Sequence, residues 1–141
     1  MYHYVFSYKH LYHVILKTIY MKILSLTKAE EQLMQYLWKI EKGFLKDLLE
    51  VFPEPKPHTN TVSTLLKVLK EKGFVDYTLS GRQHEYFALI SQQQYSGKSI
   101  RSLVKNYFSG SYTNAVSFLV EKKELSVEDL EMLLNELKNK D

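Results

Sequence analysis

Between His58 and Leu89 the hydrophobic period of the chain changes from 3.6 residues to 2, and Gly73 marks the change. Before it, in HTNTVSTLLKVLKEKG, Val62, Leu65, Leu66 and Leu69 fall at i, i+3, i+4 and i+7, a single apolar stripe along a helix. After it, Val75, Tyr77 and Leu79 alternate with Asp76 and Thr78, Ser80-Gly81 signals a turn, and His84 to Leu89 returns. That pattern is a β-hairpin with Arg82 at or beside its tip. Gly73 itself is well placed to close the helix.

The side of this central helix opposite the stripe carries Asn60, Ser63, Thr64 and Lys67. Solvated helix faces are usually rich in Glu and Lys that pair along the helix. Here short hydroxyls and an amide lead, and the one carboxylate, Glu71, waits at the end. Such side chains reach base edges and phosphate oxygens without repelling a polyanion. Thr59 or Asn60 is the expected N-cap, and the free N–H groups there suit a phosphate.

Upstream, Leu26-Thr27-Lys28-Ala29-Glu30 is a capping box with Thr27 as N-cap. The helix it starts is expected to bury Ala29, Leu33, Met34, Leu37 and Trp38 and to end near Gly43. A shorter helix from Phe44 to Phe52 turns Leu45, Leu48, Leu49 and Phe52 inward. Pro53, Pro55 and Pro57 then forbid helix and set an extended turn. Three helices followed by a basic-tipped hairpin is the winged helix-turn-helix layout, mainly α with a small β-hairpin. In that layout the third helix enters the major groove, and the wing rides on neighbouring backbone or minor groove. Asn60, Thr61, Ser63 and Thr64 would read base edges. Lys56, Lys67, Tyr77 and Arg82 would hold phosphates, with His84 a further candidate.

Overall charge is only +3 and announces no polyanion partner, but its distribution says more. Five bases (Lys56, Lys67, Lys70, Lys72, Arg82) stand against two acids (Glu71, Asp76) across the central segment. The absence of cysteine rules out disulfides, thiol catalysis and thiolate metal sites, and fits a reducing cytoplasm. No phosphate-cradling glycine loop, nucleophile motif or ligand-spaced His/Asp/Glu cluster is present. His84 and Glu85, as strand neighbours, point to opposite faces. No catalysis, cofactor or metal is expected.

Residues 1–22 are aromatic and basic, with Lys9, Lys17 and Lys22 and no acid. They match neither a secretory signal nor a membrane span. The expectation is that Met21 is the natural start and that the segment before it is an upstream extension. Residues 23–91 form the winged domain and residues 92–141 a helical region. In the latter, Ile100, Leu103, Val104, Tyr107 and Phe108 repeat the helical stripe, as do Tyr112, Ala115, Val116, Leu119 and Val120. A third helix starts at Ser126 in a capping box with Asp129, stapled by Leu125 against Leu130, and carries Leu130, Leu133, Leu134 and Leu137. Three short helices with wide stripes have too little partner surface of their own, and packing across a two-fold axis buries them. The expected dimerisation residues are Leu103, Val104, Tyr107, Phe108, Val116, Leu119, Leu130, Leu133, Leu134 and Leu137. The alternative is a monomer in which these helices fold back on their own winged domain.

These residues resemble the BlaI/MecI/CopY-type bacterial transcriptional repressors. The likeness runs from about Leu26 to Lys138. It rests on LTKAEEQLMQYLWK, on NTVSTLLKVLKEKGFV running from the third helix into the wing, on HEYFAL, and on SYTNAVSFLVEKKELSVEDLEMLLNEL. The resemblance implies a homodimer on a palindromic double-stranded DNA operator. It also implies release of repression when a membrane-bound sensor protease causes a cut in the dimerisation region. Two departures follow. The copper-responsive branch uses a C-terminal cysteine cluster that this chain lacks, which excludes copper sensing by that route. In the β-lactam-responsive branch the cut follows an asparagine, and the matching position here is Phe118, before Leu119. Base-contacting positions of the family fall on Thr59, Asn60, Ser63 and Thr64. Asn60 and Ser63 replace the lysine and arginine of the β-lactam repressors, so a different operator sequence is expected. A winged helix that assembles proteins instead of binding DNA is the competing reading, and it calls for an apolar or acidic outer face on the central helix.

Overall fold

The computed structural model describes residues 8–16 and 25–140. The expected start at Met21 lies outside the described residues. The chain divides into two compact units, Met1–Gln92 and Gln93–Asp141.

In the first unit, helix α1 (residues 8–16) is exposed along its length. Helix α2 (Lys28–Ile40) begins with the expected capping box: the Glu30 N–H donates to Thr27 Oγ1 at 3.2 Å, and the Thr27 N–H to Glu30 Oε2 at 3.1 Å. Leu33, Met34 and Leu37 are fully buried, but Ala29 is exposed and the inward position belongs to Glu30. The reason lies in spacing. Glu30, Leu33, Met34 and Leu37 are the true i, i+3, i+4, i+7 set, and the buried carboxylate at its head is met by Lys72 Nζ at 2.7 Å. Lys72 also donates to the Ser25 carbonyl at 2.9 Å. Trp38 is the expected anchor, half-buried, its indole N–H donating to the Ile90 carbonyl at 2.9 Å.

Helix α2 ends at Ile40, near Gly43 as expected, though the glycine itself is not its cap. Glu41 leaves it at φ 68°, and Lys42–Gly43 forms strand β1. That strand pairs with β3 (Gln83–Ala88), Lys42 opposite Phe87 and Gly43 opposite Tyr86. The expected hairpin is therefore the larger part of a three-stranded antiparallel sheet, order β1-β3-β2, with β2 spanning Val75–Ser80. A Cβ on Gly43 would come within 2.8 Å of Ile40 Cδ1 and 3.1 Å of Asp47 Cβ, so close packing explains the glycine. Helix α3 (Leu45–Val51) is one residue shorter at each end than expected, because the Asp47 carboxylate accepts from the Phe44 N–H at 2.8 Å and fixes the start. Leu48 is fully buried, while Leu45, Leu49 and Phe52 are half-buried.

Helix α4 (Thr59–Glu71) packs Val62, Leu66 and Leu69 at zero exposure on the side that meets α2, α3 and strand β2. Its N-cap is His58, not Thr59 or Asn60, and no side chain caps the end. Gly73, at φ 82°, closes it: the Phe74 N–H donates to the Leu69 carbonyl and the Gly73 N–H to Lys70, which is the Schellman arrangement. Strands β2 and β3 pair from Val75–Ala88 to Ser80–Gln83, leaving Gly81-Arg82 as a two-residue turn with Gly81 at φ 63°. This is a winged helix-turn-helix.

The second unit holds α5 (Gln92–Tyr107), α6 (Tyr112–Glu121) and α7 (Val127–Lys138). Ser111 caps α6, and Ser126 with Asp129 makes the expected box on α7. Val104 is buried, and Phe108 meets Phe118 with ring centroids 5.6 Å apart.

Candidate nucleic-acid interface

At 3.6 residues per turn, Asn60, Thr64 and Lys67 stand within about 50° of the point opposite the buried stripe of α4, and Ser63 borders them about 90° round from that point. All four are exposed, as are Thr59 and Thr61 on its flanks. The Thr64 hydroxyl donates to the Asn60 carbonyl at 2.8 Å, which pins one hydroxyl to the helix while leaving its lone pairs outward. With no side-chain cap at His58, and the Thr61 N–H already given to the His58 carbonyl at 3.0 Å, the foremost N–H groups of the first turn face solvent, where an anion is favoured. Glu71, the acid of this outer face, sits at the far end.

The wing presents Arg82, exposed, in its turn. Tyr77 and His84 are not separate outward hooks. Their rings stack at 3.7 Å and 3°, half-buried, and the His84 Nδ1 lies 3.4 Å from the Tyr86 hydroxyl. Lys70 sits over the Tyr77 ring at 5.4 Å and pairs with Asp76 at 3.4 Å. The Tyr77 backbone N–H, then Lys70, hold the Asp76 carboxyl below its ordinary range. Burial, with Tyr77 beside it, pushes the Tyr86 phenol up. Lys56 is exposed but reaches back to the Glu50 carbonyl at 3.4 Å. The structure thus brings Thr59, Asn60, Thr61, Ser63, Thr64 and Lys67 together on one helix, and sets Arg82, Tyr77 and His84 on the wing.

Lys70 and Lys46 were missed as wing-side residues by sequence reasoning. Lys70 shows no signal beyond its position one turn before Gly73. Lys46 lies on a cleft with Arg82 and His84 that only tertiary contact creates.

In the second unit Leu103, Tyr107, Val116, Leu119, Leu133, Leu134 and Leu137 are all exposed, Tyr107 by 80%. Phe108 and Leu130 are half-covered, and Val104 is buried within its own chain, so it faces no partner. Among the described residues no group of three His, Asp or Glu could hold a metal ion, and no helix is long and apolar enough to cross a membrane.

The sequence matches the Penicillinase repressor family over residues 26–139. It is 25% identical over 120 residues to the Methicillin resistance regulatory protein MecI of Staphylococcus aureus (strain N315), covering 84% of this chain and 98% of that one. It is 24% identical over 123 residues to the Penicillinase repressor of Bacillus licheniformis, covering 84% and 96%. An uncharacterized 16.5 kDa protein of Latilactobacillus sakei is 23% identical over 107 residues, covering 75% and 73%. Matched from the first capping box to the last helix, the chain belongs to the penicillinase repressor family.

Proposed function

We propose that this chain is a cytoplasmic transcriptional repressor that binds a palindromic DNA operator as a homodimer. Helix α4 enters the major groove and the wing rests on the adjoining backbone or minor groove. The observation that carries the reading is the exposed surface of Asn60, Thr64 and Lys67, bordered by Ser63, turned away from fully buried Val62, Leu66 and Leu69. That face is neither apolar nor acidic at its leading end, as a protein-assembly surface would be. Membership of a family of repressors, with relatives named as regulators, supports it further.

Asn60, Thr61, Ser63 and Thr64, with Thr59 at the entrance, read base edges. Lys67 and Arg82 hold phosphates, Lys56 being turned back to the Glu50 carbonyl, and the Tyr77–His84 stack stiffens the wing that carries Arg82. The exposed leucines and Tyr107 of α5–α7 meet their copies across the two-fold axis, because exposed apolar surface on this scale marks an interface. A sensor protease acting through a cut between Phe118 and Leu119 belongs to the same reading. Both side chains are exposed, at 44% and 40%, yet the bond lies within α6, so that turn has to unwind before a protease can take it.

The test is genome-wide footprinting of the tagged protein, followed by fluorescence anisotropy on the recovered sites from 50 to 200 mM salt. A palindrome whose affinity falls steeply with salt is the expected result. An absence of enriched sites, or an affinity indifferent to salt, would leave the protein-assembly reading in its place.

A further inference from the structure

A cleft of about 520 Å³ opens in the first unit where the start of α3, the start of α4 and the wing meet. Its walls are Phe44, Leu49 and Tyr86, and its rim carries Lys46, Arg82 and His84. No carboxylate lines it. The volume falls in the range of small-molecule sites, about 300–1,000 Å³, and an apolar wall with a few convergent polar groups is their usual make-up.

We propose that this cleft binds a small amphipathic carboxylate, its apolar body against Phe44, Leu49 and Tyr86 and its charge toward Lys46 and Arg82. The occupant is argued from charge complementarity. Besides the Thr59 hydroxyl, the Gln83 amide and the Tyr86 phenol, the lining offers Lys46, Arg82 and His84 and no carboxylate, so an anion meets two cations that would repel a cation. A bare inorganic anion would leave the apolar wall wet, and an uncharged apolar molecule would leave the lysine and arginine unused.

The position gives binding a consequence. Thr59 and Arg82 border both the cleft and the proposed DNA face. An occupant therefore adds negative charge where a phosphate is to lie, and it weakens operator binding. This consequence rests on the DNA-binding reading, whereas occupancy of the cleft does not.

The test separates the two. The full chain, labelled with nitrogen-15, is titrated with 2-naphthoate while backbone amide shifts are followed, alongside 2-naphthamide, inorganic phosphate and the Lys46→Glu variant. Lys46 is exposed, so its replacement leaves folding intact. The expected result is saturable shifts confined to Lys46, Leu49, Thr59 and the Arg82–Tyr86 segment. Affinity should weaken about tenfold for the amide and severalfold or more for Lys46→Glu, as loss or reversal of one charge contact implies. Equal affinity for the amide, equal effect from phosphate alone, an unaffected Lys46→Glu, or shifts confined to α5–α7 would each overturn the site. A second arm measures operator affinity with and without 2-naphthoate. Weakening in the wild-type chain and much less in Lys46→Glu supports the competition, and saturated shifts with unchanged DNA affinity overturn it while leaving the ligand site standing.

Discussion

Replacing Lys72 by methionine keeps the aliphatic stem and removes the charge that answers Glu30. The two side chains meet at 2.7 Å with 16% and 7% of their surface exposed, and Lys72 also holds the Ser25 carbonyl at 2.9 Å. At an effective dielectric near 20, two unit charges that close attract by about 6 kcal/mol, most of it offset by the cost of leaving water. What remains matters less than what the substitution strands. Glu30 is left with the Thr27 N–H at 3.1 Å and no cation, inside the stripe that packs α2. Breaking a buried pair from one side costs about 3–5 kcal/mol, and the partial exposure of Lys72 places this one near the lower end, about 3 kcal/mol. Urea unfolding followed by circular dichroism at fixed protein concentration reads that loss directly. Glu30→Gln with Lys72→Met should then be less harmful than the sum of the two single changes by about 1–3 kcal/mol, since neither partner is stranded. A loss below about 1 kcal/mol for Lys72→Met, or strict additivity in the pair, refutes the reasoning.

Four further outcomes are expected. Asn60→Ala should cost about 1–3 kcal/mol on the recovered operator and relax the preference at one base pair of each half-site, read by binding selection on randomised duplexes. Lys67→Ala should weaken all sequences alike and shallow the salt slope by about one unit per protomer, and a slope unchanged in the anisotropy series argues against its phosphate contact. Gly73→Ala should lower stability by about 1–2 kcal/mol in chemical denaturation although nothing lies within 4 Å of the added Cβ, because φ is +82°. Asp129 has its carboxyl held below the ordinary range by the Ser126 hydroxyl and then the Ser126 backbone N–H. Its support for the start of α7 is therefore complete above the unfolded carboxyl's titration and lost as pH falls through the lower folded value. Thermal melts across acid pH should show that loss, and Asp129→Asn should flatten it.

Legibility in the sequence followed the range of the interaction. The α4 stripe, the glycine at φ 82°, the Gly81-Arg82 turn and the Ser126 box depend on neighbours a few residues away, and each stands where the residues put it. What was hidden is long-range. Glu30 and Lys72 are 42 residues apart, and nothing near Glu30 distinguishes a buried carboxylate from an ordinary capping one. Strand β1 is two residues long, too short for any alternation, and it exists only because Phe87 and Tyr86 come to lie beside it. The cap of α4 went to Thr59 or Asn60 on residue preference, whereas the extended backbone sits at His58, directly after the proline run. Helix α5 starts eight residues before its first stripe residue, in a Gln-rich run that carries no apolar period.

The five bases between Lys56 and Arg82 suggest a strongly cationic surface, and the structure assigns most of them elsewhere. Lys72 answers Glu30, Lys70 answers Asp76 and covers Tyr77, and Lys56 donates to the end of α3. On the outer face of α4 that leaves Lys67, and on the wing Arg82. On the proposed reading, a surface so sparing of free charge gains less from the backbone at large than five free bases would, though its few phosphate contacts still carry the salt dependence. It must depend on how well a row of hydroxyls and one amide fits particular base edges. A short polar side chain that misses its hydrogen bond in a groove is left unpaired at full cost, whereas a misplaced lysine swings to the next phosphate. On the proposed reading Asn60, Ser63 and Thr64 therefore favour discrimination over affinity, and a second protomer, by doubling the contacts on a palindrome, would supply the affinity that one α4 withholds.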